Sequence, residues 1–278
     1  MKKIILACAA FAVFSGFIIP AAKMASLMKA QKGLAALVLN GTSFFNLGKD
    51  YINTPVPCRV IVTANGRLRQ DYLFPRAHIT LINTGLHQTI LVNGVRMTSP
   101  PVIFAQNNIA AVLFALYLSD NPARVFSEIG LNQASVAYGL ANNRAAYIIG
   151  NDPDQLFIDN EDTVPLMYRI TQGSTVILSA VKDYLNAAGV VDNTAVAKPA
   201  PGSGNLTLET EAGSITQTVM TLPRVVELYN GNTLVQRWEF HSALLLRNDA
   251  GIRELLPVPY ALRKLRTTDQ QLSPFMLF

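Results

Sequence analysis

Cysteine and histidine are scarce in this chain of 278 residues, which contains two cysteines and three histidines. Cys8 lies in an N-terminal segment that we expect to be removed, so Cys58 has no partner for an intramolecular disulfide. His78, His87 and His241 form no pair at metal-binding spacing, and the sequence has no Cys-x-x-Cys motif. We therefore expect no metal, no cofactor and a domain stabilised by its core, in which Cys58 acts as a small buried hydrophobe.

Charge is also low, because only 15% of the residues are Asp, Glu, Lys or Arg, whereas 50% are hydrophobic. This composition excludes a globally disordered chain. The net charge of +5 is spread along the sequence and mixed with acidic residues. Nucleic-acid binding normally needs a denser basic stripe, so we expect no nucleic-acid partner.

Motifs that carry catalysis are missing as well. The nucleophile elbow Gly-x-Ser-x-Gly does not occur. The acidic stretch from Asp152 to Asp162 lacks the alternating ligands and central glycine of a calcium loop, so we interpret it as turn residues. We predict no catalytic residues and no enzymatic activity; a hydrolase is the alternative.

The N-terminus has the pattern of a secretory signal peptide. Two lysines precede the uncharged, mostly apolar run Ile4 to Pro20, which is followed by the small residues Ala21 and Ala22. An uncleaved membrane anchor is the alternative, but it needs about 20 apolar residues and this run is slightly shorter. We predict that residues 1–22 are a signal peptide, that the mature chain starts between Ala22 and Ser26, and that it is exported to the periplasm.

Three Asn-Gly dipeptides, each flanked by strand-like segments, predict antiparallel hairpins at Asn65-Gly66, Asn93-Gly94 and Asn230-Gly231. In the first hairpin a two-residue loop would mix the apolar and polar positions of the two strands. A three-residue loop from Ala64 to Gly66, with Gly66 in the left-handed region, collects the apolar positions on one face. We therefore predict the three-residue loop.

The other patterns predict a mainly β (α+β) fold, in which one curved antiparallel sheet is covered by a few helices. Either the helices fill the space beneath the sheet, which is the usual role of an apolar face, or they leave room for a ligand. A linker-like loop is predicted at Thr194–Gly204. Helices are predicted at Ala22–Leu39, Asn108–Asp120 and Pro122–Ile129, and further strands at His78–Ile82, Tyr147–Ile149, Gln155–Ile158, Pro165–Ile170, Thr175–Ala180, Leu206–Glu211 and Ser214–Met220.

Three segments carry a resemblance to a known family. They are Gly66 to Asp71 (GRLRQD), the run from Ala146-Tyr-Ile-Ile-Gly150 through Gln155-Leu-Phe-Ile-Asp159 to Thr163-Val-Pro-Leu166, and Leu222-Pro-Arg-Val-Val-Glu-Leu-Tyr229 with Leu234-Val-Gln-Arg237. In this order they resemble the outer-membrane lipoprotein-sorting proteins and periplasmic lipoprotein carriers, the LolA/LolB-like superfamily. The chain departs from the carriers in two respects: it has no Arg-Pro pair near Arg69, and its connection at about residues 190–221 is longer.

The resemblance implies an unclosed β half-barrel in residues 23–278, a single lipid- or lipoprotein-binding domain, with helices as a lid over a hydrophobic cavity. Met24, Leu27 and Met28 of the first helix would join the lid. The implied function is a periplasmic carrier that binds the acyl chains of a lipoprotein or lipid and passes them toward the outer membrane. Its further partners would be an inner-membrane transporter or an outer-membrane acceptor. The alternative is an envelope-stress sensor of the same fold that docks on a membrane signalling protein. The predicted cavity residues are Val60, Val62, Leu68, Tyr72, Phe74, Val112, Leu113, Leu116, Trp238 and Phe240.

Overall fold

The computed structural model of the protein describes residues 19–28, 35–46, 51–85, 87–99, 104–188, 197–199, 206–208, 219–246 and 267–268. In these ranges the helices are α1 (Ala21–Leu27), α2 (Asn107–Leu118) and α3 (Pro122–Glu128). The strands are β1 (Ala36–Asn46), β2 (Tyr51–Thr63), β3 (Arg67–Leu73), β4 (His78–Thr84), β5 (His87–Val92), β6 (Val95–Met97), β7 (Val136–Ala141), β8 (Arg144–Ile149), β9 (Gln155–Asp159), β10 (Pro165–Gln172), β11 (Thr175–Ala188), β12 (Ala197–Pro199), β13 (Leu206–Leu208), β14 (Val219–Asn230), β15 (Thr233–Leu246) and β16 (Thr267–Thr268).

All these strands belong to one sheet, and its main path is antiparallel in the order β6-β5-β4-β3-β2-β1-β15-β14-β11-β10-β9-β8-β7. Strand β16 adds to β6 in parallel, and β13 adds to β11 beside β12. One half of the sheet is the meander β1–β6, and the other is the meander β7–β11 followed by β14. Pairing of β15 with β1 joins the two halves in the middle. The edge strands β16 and β7 do not pair with each other, so the predicted mainly β fold with an unclosed antiparallel sheet is confirmed.

The first hairpin has the predicted three-residue loop. Val62 pairs with Leu68 and Cys58 pairs with Tyr72, which places the loop at residues 64–66. Gly66 has φ +80°, and its N–H donates to the carbonyl oxygen of Thr63 over 2.9 Å. The apolar positions of both strands therefore share the face that contacts α2, which we call the inner face. Cys58 lies on it, and burial raises the pKa of its thiol.

The predicted helix Ala22–Leu39 is wrong in its C-terminal part, because Ala36–Leu39 begins strand β1 and residues 29–34 lie outside the described ranges. Strand β1 runs between β2 and β15 and is buried on both faces there. A strand buried on both faces reads as a continuous apolar run, without the alternation that identifies a half-exposed strand. Gly41, two residues beyond the predicted helix, lies in β1 where an added Cβ would be 2.1 Å from the carbonyl oxygen of Glu239.

Other elements also differ from the sequence prediction. Edge strand β7 was not predicted, since it exposes both Tyr138 and Leu140 and has little apolar alternation. The strands predicted at Leu206–Glu211 and Ser214–Met220, which we expected to pair as a hairpin, lie mostly in residues 209–218, outside the described ranges. Their described ends have other partners, because β13 pairs with β12 and β11, and Met220 of β14 pairs with Ala187 of β11. Strand β12 also interrupts the predicted loop Thr194–Gly204.

The predicted signal peptide lies mostly in residues 1–18, outside the described ranges.

Helix α2 lies on the inner face and contacts both halves of the sheet, at β2 and β3 on one side and at β10, β11 and β14 on the other. Its sequence NNIAAVLFALYL carries no charge, so it can be buried nearly all round. Helix α3 begins at Pro122, where Asn121 caps the first turn by accepting the Arg124 N–H over 3.1 Å. Helix α1 packs on α3. None of the helices in the described ranges is long and apolar enough to cross a membrane.

Candidate functional site

The structure brings all the predicted cavity residues together. They come from β2, β3, α2 and β15, except Phe74, which directly follows β3. All of them form part of one apolar cluster beneath the sheet. None of them exposes more than 3% of its surface. The register therefore places Trp238 and Phe74 on the same side of the sheet, as the alternation predicts.

Aromatic rings fill the centre of this cluster. Phe114 of α2 meets Trp238 and Phe240 edge-on, at centroid distances of 5.9 and 5.7 Å. Phe104 packs against Tyr72 at 5.5 Å and against Phe74 at 6.1 Å. The centre of the inner face is thus a packed interior, so space for a ligand has to be sought at its margin.

Helix α1 contributes to the same interior with one face only. Met24 and Met28 are buried in the cluster, as are Ala21 and Ala25. Leu27 is 45% exposed, so the prediction that it lines the interior is wrong. The reason is helical geometry: at 3.6 residues per turn, the buried Ala21, Ala25 and Met28 lie to one side of Met24, whereas Leu27 lies to its other side, outside the buried stripe.

A buried polar cluster lies among these apolar residues, with the hydroxyl of Tyr72 at its centre. Trp238 Nε1 donates to this oxygen over 2.9 Å, and Gln236 Nε2 and Asn107 Nδ2 each donate over 3.2 Å. The hydroxyl itself donates to Gln70 Oε1. Burial raises the pKa of Tyr72 well above its ordinary value, so the phenol stays protonated. Since Asn107 begins α2, the cluster fixes that end of the helix against β3 and β15.

Sequence reasoning missed the polar members of this cluster. Gln70 and Gln236 occupy inner positions of β3 and β15, and both are almost completely buried. A polar residue at an inner position of an alternating strand was therefore the available signal. Such a residue has to be hydrogen-bonded in the interior, and its partner on α2 is distant in sequence.

A cleft of about 360 Å³ opens beside α2, between the α2–α3 corner and the ends of β3 and β4; we call it the Asn83 cleft. Two of the predicted cavity residues, Leu68 and Val112, line it. The rest of its lining consists of Ala111, Ala115, Val125 and Ile129, the polar residues Asn65, Gly66, Asn83, Thr84, Gly85, Ser119 and Asn121, and the charged residues Asp120, Arg124 and Glu128. Its volume is within the range of roughly 300–1,000 Å³ that is usual for small-molecule sites.

Asn83 has an unusual environment in this cleft. It is 1% exposed, yet neither its Oδ1 nor its Nδ2 has a hydrogen-bond partner. Gln88, its cross-strand neighbour on β5, also has a buried amide nitrogen without a partner. Gln88 lines a second cleft of about 540 Å³, together with Ile90, Arg96 and Met97. Unpartnered amide groups therefore lie along the β4–β5 margin of the inner face.

The acidic stretch that we interpreted as turn residues has structural partners. Asp159 is 2% exposed, and its Oδ1 accepts the N–H groups of Glu161 and Asp162 over 2.8 and 2.7 Å. Its Oδ2 lies 2.7 Å from Arg144 Nε. Asp154 accepts the Thr171 N–H over 2.6 Å. In the part of the chain that the structure describes, no group of His, Cys, Asp or Glu is arranged to hold a metal.

Two solved structures are similar to the structure of this protein. One is a domain from Vibrio parahaemolyticus named for outer-membrane lipoprotein sorting, with a TM-score of 0.44 and 8% identity over 81% of this chain and 90% of that one. The other is a LolA superfamily protein from Nitrosomonas europaea, with a TM-score of 0.45 and 9% identity over 83% of this chain and 94% of that one. No protein-family model matches the chain, and no curated protein is significantly similar to it in sequence.

Proposed function

We propose that this protein is a periplasmic carrier that binds the acyl chains of a lipoprotein or lipid and passes them toward the outer membrane. The observation that carries this proposal is the Asn83 cleft, which opens beside the apolar interior and is lined by Leu68 and Val112 of the predicted cavity residues. An acyl chain placed there would continue the apolar contacts between α2 and the sheet.

The energetics favour an apolar chain. Each methylene group removed from water contributes about 0.8 kcal/mol, so a chain with several buried methylenes would gain several kcal/mol of binding free energy. Helix α2 carries no charge, and most of its contacts with the sheet are apolar. Such contacts are non-directional, which lets the helix shift to admit more of the chain while its polar end stays anchored by Asn107. The predicted cavity residues would then line the enlarged site.

Release requires a competing site. A ligand shifts an equilibrium between two states only by its difference in affinity for them, so an acceptor has to bind the chain more tightly than the carrier does. An inner-membrane transporter would supply the cargo and an outer-membrane acceptor would remove it. The proposal includes the signal peptide at residues 1–22 and a single binding domain at residues 23–278.

The first test is a substitution that fills the cleft. Val112→Phe places a ring where we expect the acyl chain, and displacing about two methylene groups of ligand removes about 1.6 kcal/mol. This corresponds to an approximately tenfold loss of affinity. Affinity would be measured by displacement of a fluorescent fatty-acid probe. Val176→Phe is the matched control, because Val176 is 36% exposed on β11 away from the cleft.

Native mass spectrometry of the full chain produced in the periplasm tests the same proposal without a probe. We expect a bound acyl lipid in the wild-type protein and less of it in the Val112→Phe variant. A wild-type protein with no bound lipid and no saturable binding of any acyl ligand would refute the carrier function. The apolar inner face would then be a core alone.

A further inference from the structure

Asn83 is a buried polar residue that the fold leaves without a partner. It lies on the inner face of β4, next to Leu68 of β3 and Gln88 of β5. Both atoms of its amide group are buried, and neither is hydrogen-bonded. An unpartnered buried polar group is destabilising, and native proteins contain few of them. Because Asn83 is among the residues that line an open cleft, a ligand that enters the cleft and displaces the side chains around the amide could supply a missing bond.

The charges around the cleft disfavour an anionic ligand. Its charged lining residues are Asp120, Arg124 and Glu128. The only cation among them, Arg124, lies with Nε 2.6 Å from Glu128 Oε1 and is already paired. Among the described residues that line the cleft, a fatty-acid carboxylate would therefore meet acidic side chains and no free cation. The polar group of the ligand should be neutral.

The chemistry of the Asn83 side chain narrows the ligand further. A carboxamide offers one acceptor and two donor hydrogens. A secondary amide is trans, so its N–H and its carbonyl oxygen point in opposite directions and need two different partners. Its N–H can donate to Asn83 Oδ1 while its carbonyl oxygen accepts from the buried Nε2 of Gln88, the cross-strand neighbour of Asn83. An ester has the carbonyl oxygen but no N–H, so Oδ1 would stay unpaired.

We propose that the Asn83 cleft recognises an amide group, so that the preferred cargo is an acyl chain in amide linkage rather than an ester-linked chain or a free fatty acid. This inference rests on the proposed carrier function and specifies the linkage of its ligand. The apolar lining residues Leu68, Val112 and Ile129 would contact the first methylenes of the chain. Asn83 would distinguish an amide linkage from an ester by its hydrogen bond.

The test compares three ligands of equal chain length: N-methyldodecanamide, methyl dodecanoate and dodecanoate. Each would displace a fluorescent acyl probe from the full-length wild-type protein. We expect the amide to bind about tenfold more tightly than the ester, because the ester leaves a buried acceptor unpaired. Dodecanoate should bind more weakly than the amide and gain affinity as the pH is lowered through the pKa of the ligand.

Substitution of Asn83 identifies the residue responsible. Asn83→Leu has nearly the same shape without the amide, so the amide-to-ester affinity ratio should fall from about ten to about one. Asn232→Leu is the control, because Asn232 is an exposed turn residue away from the cleft. If Asn83→Leu fails to fold, the comparison of ligands in the wild-type protein still decides the inference.

The outcomes separate this inference from the proposed function. Saturable binding of amide and ester with equal affinity would overturn the amide preference and leave the carrier function standing. Tighter binding of dodecanoate than of the amide would also overturn it. Absence of saturable binding by all three ligands would contradict both proposals. An amide preference that survives in Asn83→Leu would assign the recognition to another residue.

Discussion

Asn83 in the N-terminal half of the sheet and Asp159 in the C-terminal half are both almost completely buried polar residues, 1% and 2% exposed. Asp159 is fully engaged, with two backbone N–H groups on one oxygen and Arg144 on the other. Asn83 has no partner at either amide atom. A buried polar group with a complete set of protein partners is explained by the fold. One that lies unpartnered in a cleft is a candidate for ligand recognition.

Two buried tyrosines show that the contrast is not simply one half against the other. The Tyr72 hydroxyl in the N-terminal half is bonded to four side chains, from β3, β15 and α2. The Tyr168 hydroxyl in the C-terminal half is equally buried and has no partner. Tyr168 lies on β10 and is not among the residues that line the Asn83 cleft. The ring of Tyr168 therefore serves packing, whereas Tyr72 also organises the interior.

The largest effect on stability is expected where a complete set of partners is broken. Arg144→Ala leaves the Asp159 carboxylate buried beside two backbone N–H groups only, and it also removes the guanidinium that lies 5.0 Å from the Tyr184 ring. We expect a loss of about 3 kcal/mol in the free energy of unfolding. Denaturant unfolding with a tryptophan signal would measure it.

Arg124→Ala is the control for this substitution. Arg124 also pairs with an acid, but its side chain is 67% exposed on α3, so solvent screens the pair. We expect a loss of about 0.5 kcal/mol or less. Equal losses in the two variants would show that burial does not distinguish these ion pairs.

A smaller loss is expected from Tyr72→Phe. The substitution leaves Trp238 Nε1 and the amides of Asn107 and Gln70 without their common partner inside the protein. We expect a loss of about 2 kcal/mol, because stranding buried polar groups costs more than the net value of the bonds. Tyr168→Phe removes a hydroxyl that has no partner, so it should change stability by less than about 0.5 kcal/mol or increase it. A loss in Tyr168→Phe as large as in Tyr72→Phe would contradict this assignment.

Much of the N-terminal half could be predicted from the sequence because its signals are local. Asn65-Gly66 and Asn93-Gly94 specify tight turns, and the alternation around the first of them determines both the loop length and the inner face. Helix α2 is equally local, since a long uncharged apolar segment between polar residues has to be buried. The family resemblance supplied the unclosed sheet.

Other features depend on parts of the chain that are distant in sequence. Strand β1 reads as helix because both of its faces are buried: Leu37 and Leu39 lie in the main apolar cluster, and Ala36 and Val38 lie in a second cluster with Ile61 and Leu246. Asn83 occupies an inner position of β4, one residue beyond the strand predicted at His78–Ile82. The cleft that makes it a candidate site forms only when the α2–α3 corner reaches the ends of β3 and β4. No local pattern shows whether a buried amide will find a partner.

The smallest expected effect is a gain of stability, and it bears directly on the contrast between Asn83 and Asp159. If Asn83 is retained for a ligand, the fold bears the cost of its unpartnered amide, and functional sites commonly have such a cost. Asn83→Leu should then raise the free energy of unfolding by about 1 kcal/mol in the absence of ligand, which corresponds to about 2–4 °C in melting temperature for a domain of this size. Differential scanning calorimetry of the ligand-free protein would measure it. The added amide ligand should stabilise the wild-type protein more than the variant, because ligand stabilisation follows affinity. A ligand-free variant that is less stable than the wild type would show that Asn83 stabilises the fold by itself, and it would then belong with Asp159 among the structural groups.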